Sequence, residues 1–336
     1  MKIGKKVVIV TDEQGYPNYM TMFYMEGIEG AGDMKDAPDM FKIGGKVRPA
    51  VLISQYVNGV IRGIPVSLPY QRPETRVNFN AAEKVCRMKG AGWHIMTNTE
   101  WVYLLNEAHK LGHKIGGNTN FGCNADNPEE KGCSYDGGLT LTGMDPLAWS
   151  HDGTAEGVFG LCGNVWEWVS GLRLVKGIIQ YIPDNNAAFK SYSKKAPEWT
   201  AALHEEKALR LTAENGRVTL KTEGDCKGWN NCHMEGVEID GIEEVPEIIF
   251  RLGILTRDWK ERKDGLYIDS DFTEALPLRG SGFYNASNGG TAALSLNYQR
   301  SRNSSTIGFR SALWLDDWKK INELLTGDAK AAKKSR

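Results

Sequence analysis

Nucleophilic, metal-binding and phosphate-binding chemistry each need particular residues at particular spacing, and this chain offers few such sets. Its six cysteines stand at positions 86, 123, 133, 162, 226 and 232. None forms a C-x-x-C pair, and neither Cys123 with Cys133 nor Cys226 with Cys232-His233 has zinc-finger spacing. They read as scattered reduced thiols, with a loop-closing disulfide or a metal site as the alternative. His109 and His113 are four apart, but Gly112 interrupts them and no Glu follows His109, so a zinc-hydrolase helix is excluded. Asp126, Asn127, Glu129 and Glu130 lack the order of a calcium loop. Gly44-Gly45-Lys46-Val47 lacks the Ser or Thr of a phosphate loop, and Gly157, Gly160 and Gly163 recur at threes rather than as G-x-G-x-x-G. There is no G-x-S-x-G nucleophile elbow.

The elements that must carry any site can be read from pattern. With 336 residues the chain can build a sizeable core, and 41 basic against 42 acidic residues exclude a strongly electropositive nucleic-acid binder. The 38 glycines and 10 tryptophans point to a loop-rich fold pinned by aromatic residues rather than a helical bundle. Residues 1–75 read as β-rich, with strands at Lys5 to Val10 and Ala50 to Val57 and a hairpin turn at Asn58-Gly59. Two helices follow. The first is expected to start at Asn80 with Glu83 as its capping partner and to bury Ala81, Val85 and Met88 before Gly90. The second starts at Thr97 with Glu100, buries Trp101, Leu104, Leu105, Ala108 and Leu111, and closes at Gly112. Residues 113–165 are rich in Gly, Asn and Asp and read as ordered loops or a functional surface. A hairpin spans Leu172 to Ile182 around Lys176-Gly177. Residues 184–248 read as an insertion, with a helix over Pro197 to Ala213 and a polar loop over Thr222 to His233. The basic tail 326–336 is expected to be disordered, leaving residues 1–325 as one domain.

Two segments carry the strongest signal. In Gly163-Asn164-Val165-Trp166-Glu167-Trp168, strand alternation puts Trp166 and Trp168 on one face and Glu167 on the other. The second runs from Arg279-Gly280-Ser281-Gly282-Phe283 to Ile307-Gly308-Phe309-Arg310. Together with Gly92-Trp93-His94-Ile95-Met96-Thr97-Asn98-Thr99-Glu100-Trp101 and Trp149-Ser150-His151-Asp152-Gly153-Thr154, these segments resemble the C-type-lectin fold. The likeness is to that fold as used by formylglycine-generating enzymes and by the variable proteins of diversity-generating retroelements. It covers about residues 40–182 and 276–314. It implies an α+β fold in which two helices pack on a twisted, mainly antiparallel sheet, with long loops. Trp166, Trp168, Phe283, Leu294, Leu296, Ile307 and Phe309 are expected in the core.

The resemblance offers two functions. Formylglycine-generating enzymes oxidise a cysteine with a copper-binding cysteine pair located between the two halves of the second segment. Here no cysteine follows Cys232, and no other side chain replaces a thiolate as soft ligand and nucleophile. An oxidase is therefore not expected, nor any cofactor. Variable proteins instead bind ligands through residues diversified at AAC codons, whose changes at the first two bases never give Lys, Glu, Gln, Met or Trp. Tyr284 to Thr306 contains no Lys, Glu, Asp, Met or Trp and is dominated by Asn, Ser, Thr, Tyr and Arg. These are the adaptable polar groups and rigid aromatics of paratopes.

Alignment to the family's template asparagines marks Tyr284, Asn285, Asn288, Ser295, Asn297, Tyr298, Arg302, Ser304, Ser305 and Thr306 as the diversified ligand surface. The alternation over Leu294 to Asn297 adds that Ser295 and Asn297 face outward. Gln299 cannot arise from AAC and should be fixed. The frame departs from the family's R-G-G-S-W at Ser281-Gly282-Phe283. Calcium is seen in related frames near the Gly163–Trp168 segment, where Asn164 could offer one oxygen, but the other ligands cannot be named. The resemblance implies a host-cell surface protein or glycan as partner, without nucleic acid or membrane insertion, and trimerisation on fibres as one arrangement. The basic, then apolar N-terminus stops at Thr11-Asp12-Glu13, too short for a secretory signal. The expected setting is therefore a viral or phage tail tip after cytoplasmic synthesis, with a bacterial cell surface as the alternative. An ordinary lectin-like adhesin is the other reading.

Overall fold

The structure is a computed structural model that describes residues 2–26 and 35–327. Its architecture is α+β. The apolar run near the N-terminus forms a nine-residue strand, Ile3–Thr11, paired antiparallel along its whole length with Pro17–Met25. These two, with Ala50–Ser54, Ser311–Leu315 and Trp93–Ile95, make an antiparallel five-stranded sheet in that order. The helix Trp318–Thr326 covers this sheet by burying Ile321 against Val8, Val10 and Leu52. Among the described residues no helix is long and apolar enough to cross a membrane.

The sheet that positions the candidate site has six strands, in the order Trp229–His233, Gly265–Asp269, Leu294–Tyr298, Leu276–Arg279, Trp166–Trp168 and Ile307–Phe309. It mixes antiparallel pairs with two parallel ones, Trp166–Trp168 on Ile307–Phe309 and Gly265–Asp269 on Leu294–Tyr298. Apolar side chains cover it on both faces. Leu266, Ile268, Leu294 and Leu296 enter one core with Trp101 and Leu104. Trp166, Trp168, Leu278, Ile307 and Phe309 enter another with Phe79, Ala82 and Cys86. The expected core residues are buried except Phe283, which is half-buried beside Val57, Leu139 and Val165.

The second helix, α2 (Asn98–Lys110), starts as expected. The Thr97 hydroxyl accepts from Glu100 N (3.1 Å), and the Glu100 carboxylate accepts from Thr97 N (2.8 Å). Leu111 lies just past its end and is exposed. The first helix, α1 (Phe79–Arg87), begins earlier than the sequence pattern predicts, capped by Asn78 rather than Asn80. Phe79, Ala82 and Cys86 form the buried stripe, while Met88 is exposed. The reason is Phe79, whose ring packs edge-on against Trp168 at 6.0 Å and outweighs the smaller alanines.

Three further expectations change. The hairpin near residue 60 turns at Arg62-Gly63 (φ +51° and +81°), both in the left-handed region that two-residue turns favour. Asn58 is buried instead, its side-chain Oδ1 accepting from Ser311 N (2.6 Å). The segment Pro197 to Ala213 is not helical. It forms strands Thr200–Ala201, Leu203–His204, Lys207–Ala208 and Arg210–Thr212, because pairing with the hairpin Leu172–Val175/Ile178–Tyr181 overrides local propensity. The end of the expected polar loop, Trp229–His233, is an edge strand. At the C-terminus, Thr326 is helical and Gly327 caps it, so the expected tail loses its first two residues; residues 328–336 lie outside the described residues.

Candidate functional site

Two buried arginines hold the ends of the segment singled out above. Arg279 ends its strand fully buried, with no carboxylate beside it among the described residues. Its Nε and Nη2 donate to Asn98 Oδ1 (3.0 and 2.7 Å), and its other donors reach Gly253 O (2.9 Å) and Leu252 O (3.0 Å). Burial pulls its guanidinium down to about 9, still charged at neutral pH. Arg310 is also fully buried. It grips Glu167 through Nη2–Oε1 (2.7 Å) and Nε–Oε2 (2.9 Å), and donates to Ser54 O and Phe159 O (both 2.9 Å). Burial pushes the Glu167 carboxyl up, and Arg310 opposes that shift. Trp101 of α2 adds a third tie, Nε1 donating to Thr291 O (2.9 Å). The sequence motifs thus meet physically: the α2 entry, Glu167, Arg279 and Arg310 form one frame around residues 280–306.

Within that frame Tyr284, Asn285, Ser295, Tyr298 and Thr306 lie beside the ring pair Trp166–Tyr267, whose centroids stand 5.6 Å apart edge-to-face, and Asn288, Arg302 and Ser304 contact other residues. Asn285 donates to Tyr267 Oη (3.1 Å) and accepts from Gly282 N (2.8 Å). Tyr284 and Tyr298 both act electrostatically on the Tyr267 hydroxyl, whose pKa is raised mainly by burial. Ser295 is in register with Tyr267 and bonds to Asn297. Thr306 O accepts from Trp166 N (2.9 Å), and Ser304 Oγ lies 3.1 Å from Thr306 Oγ1. The Arg302 guanidinium sits 5.0 Å from the centre of the Tyr298 ring. Asn288 Oδ1 bonds to His233 Nε2 (2.6 Å).

Exposure divides the set. Tyr284, Arg302 and Ser305 are exposed; Asn285, Asn288, Asn297, Tyr298, Ser304 and Thr306 are half-buried. Ser295 is only 2% exposed, which corrects the outward orientation read from alternation. The cause is the sheet's position between two cores: alternate residues of a central strand covered on both faces all become interior. Gln299 is exposed, its carbonyl accepting from Arg302 N (3.0 Å). At the departure from the family frame, Ser281 adopts φ +69° and its hydroxyl accepts from Gly290 N (3.2 Å), which closes the turn 281–290.

Sequence reasoning missed three neighbours. Tyr267 and His233 come from strands outside the matched segments, and no local pattern marks them. Phe121 lies in the Gly- and Asn-rich stretch read as loop or functional surface. It is 61% exposed in a left-handed conformation (φ +49°), and its ring meets Phe283 at 5.3 Å, which in turn meets Tyr284 at 5.3 Å. Phe121 N donates to Phe283 O (2.9 Å) and Ala286 N donates to Thr119 O (2.8 Å), so this loop is stitched to the segment 280–306.

The polar groups near the Gly163–Trp168 motif do not fit a calcium site built on Asn164. Its Oδ1 already accepts from Thr140 N (2.9 Å) and Asn118 Nδ2 (3.3 Å), which leaves no free lone pair for a hard cation. Gly163 is required beside it, since at φ +72° a Cβ would stand 2.0 Å from Asn118 O. Among the described residues no group of three or more His, Cys, Asp or Glu could hold a metal ion. Cys86 and Cys162 are buried, with their thiols pushed up chiefly by burial, and Cys232 is pushed up to about 11 by the same cause.

No family model matches the chain, and no curated protein matches it. Among solved structures it is similar to PvdO from Pseudomonas aeruginosa, at 13% identity over 93% of this chain and 100% of that one, with a TM-score of 0.36. It is also similar to the Major Tropism Determinant I1 variant, at 11% identity over 94% of this chain and 74% of that one, with a TM-score of 0.34. The U1 variant of the same protein gives 13% identity, coverage of 94% and 73%, and a TM-score of 0.32.

Proposed function

We propose that this chain is a non-catalytic receptor-binding protein of C-type-lectin type, and that residues 284–306 form a surface diversified by a retroelement. The observation that carries this reading is the separation of frame from surface. Arg279, Arg310 and Trp101 hold the segment through backbone carbonyls, Asn98 and Glu167, and none of these bonds involves any of the ten side chains. A surface free to vary needs that independence. The paratope-like composition of Tyr284 to Thr306 supports the same reading. The oxidase reading is disfavoured because no cysteine lies between Arg279 and Arg310. The partner is a host-cell surface protein or glycan, and the setting is a viral or phage tail tip.

Two measurements test this. A near-copy of codons 279–313 differing at adenines, beside a reverse-transcriptase gene, is expected in the source DNA. Tyr284→Ala and Arg302→Ala, both at exposed positions, should weaken binding to host cells by tenfold or more, roughly the hot-spot range, with an unchanged melting midpoint. Absence of the repeat together with unaltered cell binding would defeat the reading, as would conversion of a cysteine peptide to an aldehyde by the purified protein.

A further inference from the structure

Beside the turn 286–290 lies a cleft of about 870 Å³, within the range of ligand-binding pockets. Its floor is apolar, made by Leu105 and Ala108 of α2 with Ile115 and Cys162. One wall is the turn itself. Gly290 is required there, since a Cβ would lie 2.0 Å from Asp264 Oδ1, and that oxygen also holds Ala292 N (2.9 Å). The opposite walls come from residues 124–130 and 258–264, outside the diversified segment.

The charge of the cleft is one-sided. Five carboxylates line it against three cations. Lys114 is engaged by Asp126 (2.7 Å), and Arg262 by Asp258 (3.0 Å) and Asp264 (3.6 Å). Glu130 and Glu261 have no ion pair among the described residues, and Lys263 is the one unpaired cation to set against them. Glu130 is built as a fixed acceptor. Its Oε2 accepts from Asn124 Nδ2 and Trp149 Nε1 (both 2.8 Å), and its Oε1 from Asn127 Nδ2 (3.0 Å). Burial opposes its ionisation, but these donors, with His113 adding electrostatically, hold its carboxyl below the ordinary value. The carboxylate therefore stays charged without a Lys or Arg ion pair among the described residues. The C-terminal end of α2, the negative end of its dipole, opens on the same space through His109 and Gly112.

We propose that this cleft is the constant part of the receptor site and takes a cationic peptide segment, a lysine or arginine side chain of a protein receptor set against Glu130 and Glu261. The assignment rests on the receptor-binding reading for its partner and commits it to a protein. Charge complementarity decides between protein and neutral glycan, because a fixed field of this sign does nothing for an uncharged sugar. The turn lines the cleft through Ala286, Ser287, Gly289 and Gly290, none of them among the ten diversified positions, so the cleft is a constant anchor beside Tyr284, Asn285 and Asn288.

The test titrates the full chain with acetyl-tetralysine amide and with acetyl-tetraglutamate amide, followed by calorimetry and by amide NMR shifts. Tetralysine should bind and shift the Gly289 and Gly290 amides; tetraglutamate should not bind. Glu261→Gln, at an exposed position, should weaken tetralysine binding roughly threefold, and Lys263→Glu should strengthen it by a similar factor. Glu243→Gln and Glu244→Gln, exposed acids that do not line the cleft, should leave it unchanged. Failure of tetralysine to bind, or equal effects from the control variants, would overturn the proposal while leaving the Tyr284 and Arg302 surface untouched. Conversely, tetralysine binding in the cleft with no template repeat in the DNA would uphold the cleft and remove diversification.

Discussion

Removing Glu167 is the most direct probe of the frame. In the native fold Arg310 is fully buried, and Glu167 supplies two of its short bonds. In Glu167→Ala the guanidinium keeps Ser54 O and Phe159 O but loses its counter-charge, and arginine cannot shed its proton to compensate. Leaving one member of a buried pair uncompensated costs about 3–5 kcal/mol. For a chain of this length that lowers the melting midpoint by roughly 4–7 °C. Urea unfolding should show a lower transition concentration with little change in slope, since the surface exposed on unfolding is nearly the same. The double variant Glu167→Leu/Arg310→Met should recover part of the loss by removing the stranded charge, but not all of it, because Ser54 O and Phe159 O then lose their donors. Calorimetry on the purified single variant decides the matter. A midpoint within about 2 °C of the parent, where ~1 kcal/mol or less is lost, would refute the claim that this pair clamps the segment's C-terminal end.

Other expectations follow from burial and charge. Trp166→Ala and Phe309→Ala should each cost about 3–5 kcal/mol, read by urea unfolding, because both rings are buried in the core behind the sheet. Burial raises the Asp145 carboxyl from 3.8 to about 7, against the pull of Arg310. The folded state then holds a proton the unfolded state has lost, so stability should fall as pH rises from about 4 to 7, and Asp145→Asn should flatten that slope. His151 is pulled from 6.5 to about 3, first by burial and then by Lys5 and His113, and its Nδ1 accepts from Val158 N (2.8 Å). Its contribution to stability should be lost as pH falls below about 6.5 toward 3, and histidine NMR at pH 5 should find its ring neutral. Ser295→Tyr should cost about 1–3 kcal/mol by overpacking, whereas Ser305→Tyr, at an exposed position, should leave the melting midpoint unchanged.

What the sequence revealed depended on whether the deciding interaction was local. The α2 start was legible because a capping box lies within four residues, and the hairpin at Lys176-Gly177 because two apolar runs flank a turn pair. The strand alternation of Trp166, Glu167 and Trp168 was legible too, although Arg310, the partner of Glu167, is 143 residues away. Where a distant partner decides, local pattern misled. Phe79 moved the start of α1 because Trp168 waited across the sheet. Arg210 and Leu211 became strand residues because the 178–181 edge was there to pair. Tyr267 and His233 had no signal at all, since only the register of three strands brings them beside the segment 284–306.

Ser295 shows what this implies for a surface that must vary. Alternation along one strand says which residues share a face; it does not say whether that face is covered. Here the strand Leu294–Tyr298 is interior to a sheet packed on both sides, so Ser295 is enclosed with Tyr267 and Leu278 as its strand neighbours. A side chain much larger than serine would have to displace one of them. Exposure instead concentrates at the turn bearing Tyr284 and on the loop 299–305, where Arg302 and Ser305 stand clear of the core. The exposed Phe121 and the acidic cleft flank that turn. On the proposed reading, diversity confined to that turn and loop would change contacts without touching Arg279, Arg310 or the two cores, which would let one frame present many surfaces.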